Sequence, residues 1–417
     1  MVSRAESAID ERSGVAGAGA VAEASEGDAA AAAGSPVDRI RQLAPELAEW
    51  RRDLHRHPEL AFHETRTSDV VAQKLESFGL EVHRGIARTG VVGVLRAGES
   101  DRAIALRADM DALPIREANE FEHRSTNAGV MHACGHDGHT TMLLGAARYL
   151  AETRAFDGTV YFVFQPAEED GGGGQVMVKE GLFERFPAHQ VYGMHNFPGM
   201  PVGDFGLCAG PMLAAADLIE LSVECSGGHA AMPHLGTDGV LVATQLVQAL
   251  QAIVARNVDP LDNAVISVTT IHGGDAFNVM PARVEMTGCV RTFRDEVQQL
   301  VERRIRDIGE AICEAHGALF ELNYQRNYPA TVNTEAEVER AAAAAAEVGR
   351  RIDTEMRPIM GSEDFSFMLR ERPGAFIGIG NGSSAALHTP RYDFNDEILP
   401  IGASYWARLV ERELATG

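Results

Sequence analysis

The chain has 417 residues, 37 Lys and Arg against 60 Asp and Glu, and a net charge of −23. That length exceeds what one hydrophobic core usually organises, so two domains plus tails are expected. The acidic balance argues against nucleic acid or an anionic membrane as partner, and the apolar stretches are broken by charges or glycines before the roughly 20 residues of a membrane helix. Five scattered cysteines, Cys134, Cys208, Cys225, Cys289 and Cys313, do not form a disulfide framework. A cytoplasmic protein with thiols free to bind metal is expected.

Residues 1–36 are dominated by Ala, Gly, Ser and Glu and lack apolar periodicity, which predicts a disordered tail. From residue 37 to about 57, Ile40, Leu43, Leu47, Trp50 and Leu54 recur at helical spacing. A second helix is predicted over 67–78 and stopped by Gly79, followed by strands at 90–96 and 103–109. A helix after Asp137 and strands at 159–165 and 190–195 complete an alternation that indicates an α/β sheet domain.

The stretch from about 217 to 327 follows its own order: strand 218–225, helix 238–255, strands 264–271 and 284–292, helix 295–315, strand 319–325. This β-α-β-β-α-β order is the ferredoxin-like pattern. Helix and strand signals resume at 334–349, 375–379 and 398–413. The expected organisation is therefore a tail (1–36), a first part of the large domain (37–213), an inserted α+β domain (214–327) and the rest of the large domain (328–417).

Metal-competent residues cluster at predicted strand ends, where sites assemble in open α/β sheets. The run Met131-His132-Ala133-Cys134-Gly135-His136-Asp137-Gly138-His139 precedes a helix. Cys134 and His136, two apart in an extended loop, can offer a thiolate and an imidazole to one cation, with His132 and His139 supporting the loop. After the strand at 159–165 comes Pro166-Ala167-Glu168-Glu169-Asp170. Two adjacent carboxylates cannot share one direction, so one is expected to face metal and the other substrate. His195 in Gly193-Met194-His195-Asn196 and His388 in Leu387-His388-Thr389-Pro390 would each read as an ordinary surface histidine if alone.

The runs His132 to Thr140, Pro166 to Glu169, Gly193 to Pro198, Asn278 to Pro281, Gly361 to Ser366 and Leu387 to Pro390 together closely resemble the M20 peptidase family. The branch resembled is that of hippurate hydrolases, N-acyl-amino-acid amidohydrolases and auxin-conjugate hydrolases. The resemblance runs from about Val37 to the C-terminus.

It implies a zinc-peptidase-like mixed-sheet catalytic domain with the inserted domain acting as lid and dimerisation unit. It further implies Cys134, His136, Glu169, His195 and His388 as ligands of two divalent ions (Zn, Mn, Co or Ni), and Glu168 as general base. Arg107 stands where many family members have a ligating His, which makes Asp109 a supporting residue rather than a ligand. His229 resembles the oxyanion donor that reaches the active site across a dimer interface. Asn278, Arg291, Gly361 and Ser362 match positions that handle substrate; Glu363 and Asp364 could instead cap the following helix.

The implied reaction is hydrolysis of a small N-acyl amino acid, hippurate-like, by a homodimer or homotetramer. A dipeptidase or aminopeptidase and a catalytically silent metal-binding relative are the alternatives. The Gly171–Gly174 run lacks the Lys-Ser/Thr of a phosphate loop and is expected to be a tight turn beside the metal site. Cys134 has no Cys-x-x-Cys partner for thiol redox chemistry.

Overall fold

The computed structural model describes residues 36–416; the tail expected at 1–36 lies outside the described residues except for Pro36. The predicted first helix is two: α1 (Pro36–Gln42) and α2 (Ala44–Arg56), divided where Pro45 starts the second. There follow α3 (Thr65–Ser77), β1 (Glu81–Ile86), β2 (Gly90–Ala97), β3 (Ala103–Asp109), α4 (His136–Thr153) and β4 (Gly158–Gln165). Next come α5 (Gly173–Lys179), α6 (Leu182–Arg185) and β5 (Gln190–Pro198), then the short β6 (Phe205–Gly206) and β7 (Gly210–Leu213).

The inserted segment contributes β8 (Ala215–Glu224), β9 (Gly228–His229), α7 (Gly239–Arg256), β10 (Ala264–His272), β11 (Val279–Met280), β12 (Arg283–Thr292), α8 (Asp295–Ala315) and β13 (Leu319–Tyr328). The chain then returns through β14 (Thr331–Asn333), α9 (Glu335–Ala345), β15 (Ile352–Asp353), α10 (Ser366–Glu371), β16 (Gly374–Gly382) and α11 (Leu399–Glu413).

Eight strands form a mixed sheet in the order β1-β2-β4-β3-β5-β16-β6-β15. Its centre, β4-β3-β5-β16, is parallel, and β1 and β2 extend it antiparallel. Every residue of β3, β4 and β16 is buried, as expected for strands covered on both faces. Gly402 of α11 lets that helix meet α4 closely, because a Cβ there would lie 2.1 Å from the Met142 sulfur. The parallel strands carry Asp109, Gln165 and His195 towards one end of the sheet, and the candidate site assembles there.

The inserted segment builds a separate antiparallel sheet, β10-β12-β8-β13, the strand arrangement of a ferredoxin-like unit. Ile219, Leu221 and Val223 alternate inward along β8, and meet Leu246, Leu250, Val301 and Ile305 from α7 and α8 in a buried cluster distinct from that of the large sheet. Asp238 caps α7 by accepting from Val240 N and Leu241 N. By length and composition alone, the 18-residue α7 is apolar enough to cross a membrane. Its buried positions, Val242, Ala243, Leu246, Leu250 and Ile253, recur at the spacing of a core-facing helix. At the junction, both Arg370 Nη atoms of α10 donate to Asp295 at the start of α8, at 2.6 and 2.8 Å.

Candidate active site

The loop before α4 turns at Gly135, whose φ of +92° suits glycine alone. A Cβ at that position would lie 2.3 Å from Asn196 Nδ2 and 2.6 Å from the Tyr392 hydroxyl. That turn lets Cys134 and His136 approach His195, and ligand-type atoms of the three residues lie within 4.8 Å of one another. Cys134, Glu169 and His388 form a second such group, and His136, Glu168 and Glu169 a third. All five residues expected to bind metal, and the expected base, are therefore brought together.

The His136 and His195 imidazoles are each held by one ring nitrogen. His136 Nδ1 faces Asp111 Oδ1 at 3.2 Å, which leaves Nε2 buried without a hydrogen-bond partner, 3.8 Å from Asp109 and 3.9 Å from Glu169. His195 Nδ1 donates to the Asn196 carbonyl at 2.7 Å, which turns Nε2 to Cys134 Sγ at 3.3 Å. An imidazole with one nitrogen fixed and the other lone pair directed inward is arranged as a metal ligand is. His388 Nε2 is 3.1 Å from Glu169 Oε1. His388 itself has φ of +60°, a left-handed conformation held by its N–H on the Ala133 carbonyl.

The field at the site is strongly negative. Burial alone would lower the His136 pKa, but Asp109, Asp111 and Glu169 outweigh it and raise it to about 10. Burial, then Glu363 and Glu169, push Glu168 well above the usual carboxylate range. Burial, then Glu169 and Glu168, push the Cys134 thiol up. A divalent cation among these groups would stabilise their anionic forms, and the mix of thiol, imidazole and carboxylate donors fits a transition metal.

Asp109 does not line the cleft. It is fully buried, with Oδ1 on His139 Nδ1 at 2.7 Å and Oδ2 accepting from Arg107 at 2.7 Å. His139 Nε2 accepts from Asn196 N at 3.0 Å, so its proton is on Nδ1 and its one lone pair is engaged in supporting the His195 strand. The Arg107 guanidinium also reaches Gln165, Glu363 and Asp364. Glu363 thus does more than cap the next helix, although it also accepts from Phe365 N at 3.0 Å.

Cys134, Glu168, Glu169, His195 and His388 line one end of a cleft of about 540 Å³. Phe197, Leu213, Ile359 and Leu387 give it an apolar wall, and Gly361 and Ser362 also line it. Arg291 reaches in from β12 with Nη1 buried and unpartnered. His229 and Asn278 are elsewhere, exposed on the β9–β11 ribbon of the inserted segment and not lining this cleft.

Three supporting residues had escaped the sequence reading: Glu64, Asp111 and Tyr328, which hydrogen-bond to the main chain of Ala167, Glu169 and Glu168. Asp111 had a signal, since it shares a strand-like i, i+2 alternation with Arg107 and Asp109. The Gly171–Gly174 run is a turn only in its first half, where Gly171 and Gly172 have positive φ; Gly173 and Gly174 open α5. Phe394 packs against α4: a Cβ at Gly138 would lie 2.1 Å from its ring.

The sequence pattern of peptidase family M20/M25/M40 matches residues 105–412. The chain is 41% identical over 380 residues to a hippurate hydrolase of Campylobacter jejuni, covering 91% of this chain and 99% of that one. It is 37% identical over 373 residues to an N-acetylcysteine deacetylase of Bacillus subtilis, covering 89% and 97%. Among solved structures, a Bacillus subtilis protein described as a dinuclear metal binding peptidase from the M20 family superposes with a TM-score of 0.80 at 34% identity, over 90% of this chain and 100% of that one. A cluster of thiol, imidazole and carboxylate donors agrees with those likenesses, and the chain belongs to peptidase family M20/M25/M40 as an amide-hydrolysing, divalent-metal enzyme.

Proposed function

We propose that this amidohydrolase cleaves N-acyl amino acids, with hippurate-like aromatic acyl groups favoured, and that Glu168 is its general base. The observation that carries the reading is one cleft lined by Cys134, Glu169, His195, His388 and Glu168, with an apolar wall and the unpartnered Arg291 Nη1. Arg291 would pair with the free α-carboxylate of the substrate. Phe197, Leu213, Ile359 and Leu387 would take the acyl group.

The overlap of two donor groups at Cys134 supports two ions per subunit, drawn from Zn, Mn, Co and Ni. When bound, they would polarise the scissile carbonyl and lower the pKa of water towards neutrality. Glu168 would take the proton of the attacking water and return it to the leaving nitrogen as the C–N bond breaks. Asp111 and the Asn196 carbonyl would keep His136 and His195 in the required tautomers.

The exposed position of His229 suits a donor that serves a second copy of the chain, so the working unit in this reading is a dimer formed through the inserted segment, 214–327. Free thiols at all five cysteines suit a reducing compartment, and the reading places the enzyme in the cytoplasm.

A dipeptidase would need an unspent carboxylate for the substrate amine. Glu363 lines the cleft but is engaged by Arg107, which favours the N-acyl reading. A hydrolysis screen with each metal supplied, varying acyl group and amino acid independently, tests the proposal. Turnover of hippurate without turnover of Gly-Gly supports it; the reverse would replace it with the dipeptidase reading, and no turnover of either with metal fully bound would favour a catalytically silent relative.

A further inference from the structure

Residues 167–169, which follow β4 after Pro166, are held at the main chain by three different side chains. Ala167 N–H donates to Glu64 Oε1 at 2.9 Å, the Glu168 carbonyl accepts from the Tyr328 hydroxyl at 2.7 Å, and Glu169 N–H donates to Asp111 Oδ2 at 3.0 Å. The first of the three is under strain, since Ala167 has φ of +55°, is fully buried and is not a glycine. Such a conformation persists only where its surroundings over-determine it.

Two of these anchors are rooted in the large sheet's part of the chain. Glu64 is itself fixed by Phe62 N and the Thr89 hydroxyl, and Asp111 spends its other oxygen on His136. The third is different in origin. Tyr328 is the last residue of β13, the strand by which the inserted segment returns, and it pairs there with Ala216.

Its ring stands between the substrate cleft and a second cavity of about 480 Å³ that is also lined by Gly171, Gly172 and Arg326. The edge of the ring lies 3.5 Å from where a Gly172 Cβ would be, and it meets Phe367 in a T-shaped contact. The hydroxyl's hydrogen bond is to the Glu168 carbonyl.

The Glu168 carbonyl and the Glu169 N–H belong to one peptide unit, gripped from both sides by Tyr328 and Asp111, and the Ala167 N–H anchors the chain just before it; together these restrain the direction of the Glu168 Cα–Cβ bond. That is the requirement the adjacent carboxylates impose, because Glu168 and Glu169 must point to different tasks. We infer that Tyr328 is a positioning residue for Glu168, tying the aim of the base to the strand that carries the inserted segment. The inference rests on the reading of Glu168 as the base.

The test is steady-state kinetics on hippurate for Tyr328→Phe, which removes only the hydroxyl, with metal content and melting temperature measured on the same preparations and Glu168→Gln assayed alongside. The expected result is a fall in kcat of about tenfold or more, since small misplacements of a reacting group are costly in rate. KM should stay within about twofold, with metal content and melting temperature unchanged. A kcat within about twofold of the unmodified enzyme would overturn the inference. So would a loss confined to KM, which would make Tyr328 a substrate contact, or one accompanied by lost metal or a lowered melting temperature, which would make it structural. If Glu168→Gln turns over normally, the base reading itself fails; if it is inactive while Tyr328→Phe is normal, only the positioning role fails.

Discussion

Arg107 and Asp109, two residues apart on the same face of β3, form a fully buried ion pair at 2.7 Å. The same guanidinium holds Glu363 at 2.8 Å and Asp364 at 3.0 Å, so one cation serves three carboxylates beside the metal-donor set. This chain thus has, beside those donors, an internal cation that is part of the protein.

Removing that cation should be costly, because the carboxylates would remain buried without it. Arg107→Met is expected to lower stability by about 3 to 5 kcal/mol, read as a shifted urea midpoint at unchanged slope. Arg107→Lys should recover only part, since a single ammonium cannot reproduce the fork. A midpoint unchanged in Arg107→Met would contradict the account.

His55, which holds Asp137 next to His136, supplies a pH dependence of stability. It is buried between Asp137 at 2.9 Å and Glu117 at 3.1 Å. Burial alone would lower its pKa, but these partners overcome it and raise it from 6.5 to about 9. A raised folded-state value means that the stabilisation is full below pH 6.5 and is lost as pH rises through about 9. A shift of this size corresponds to about 3 kcal/mol. Thermal unfolding between pH 6 and 10 should therefore show a steeper decline for the unmodified protein than for His55→Gln; parallel curves would refute the assignment.

Gly135 is expected to tolerate no side chain. Asn196 and Tyr392, which a Cβ would strike, are hydrogen-bonded to each other at 2.7 Å, and Asn196 also holds the Cys134 carbonyl at 2.7 Å. Gly135→Ala should therefore displace Cys134 and reduce bound metal, measured by elemental analysis after dialysis, more than it reduces helix content. Full metal occupancy with unchanged turnover would show that the loop can relax.

The parts of this molecule that were legible in the sequence are those written in local periodicity. The i, i+4 spacing of Val297, Val301 and Ile305 marks α8, and the alternation of Ile219, Leu221 and Val223 marks β8. β1 was missed because it is an edge strand whose residues Glu81–Gly85 are not buried and carry charge.

In the site, the Cys134 to His136 run declared itself, whereas His195 and His388 gained meaning only from the family resemblance. Glu64, Asp111 and Tyr328 were not read as supports because they meet the 167–169 loop across 103, 58 and 160 residues of sequence. Such long-range hydrogen bonds leave no periodic trace.

The central claim is that Glu168 moves the proton in metal-dependent hydrolysis of an N-acyl amino acid, and Glu168→Gln tests it most directly. With metal restored and quantified in both proteins, hippurate turnover should fall by a factor of about 10² to 10⁴, the range of a lost general base, while metal content and folding are preserved. Turnover at the unmodified rate by a metal-loaded, folded Glu168→Gln protein would contradict the claim.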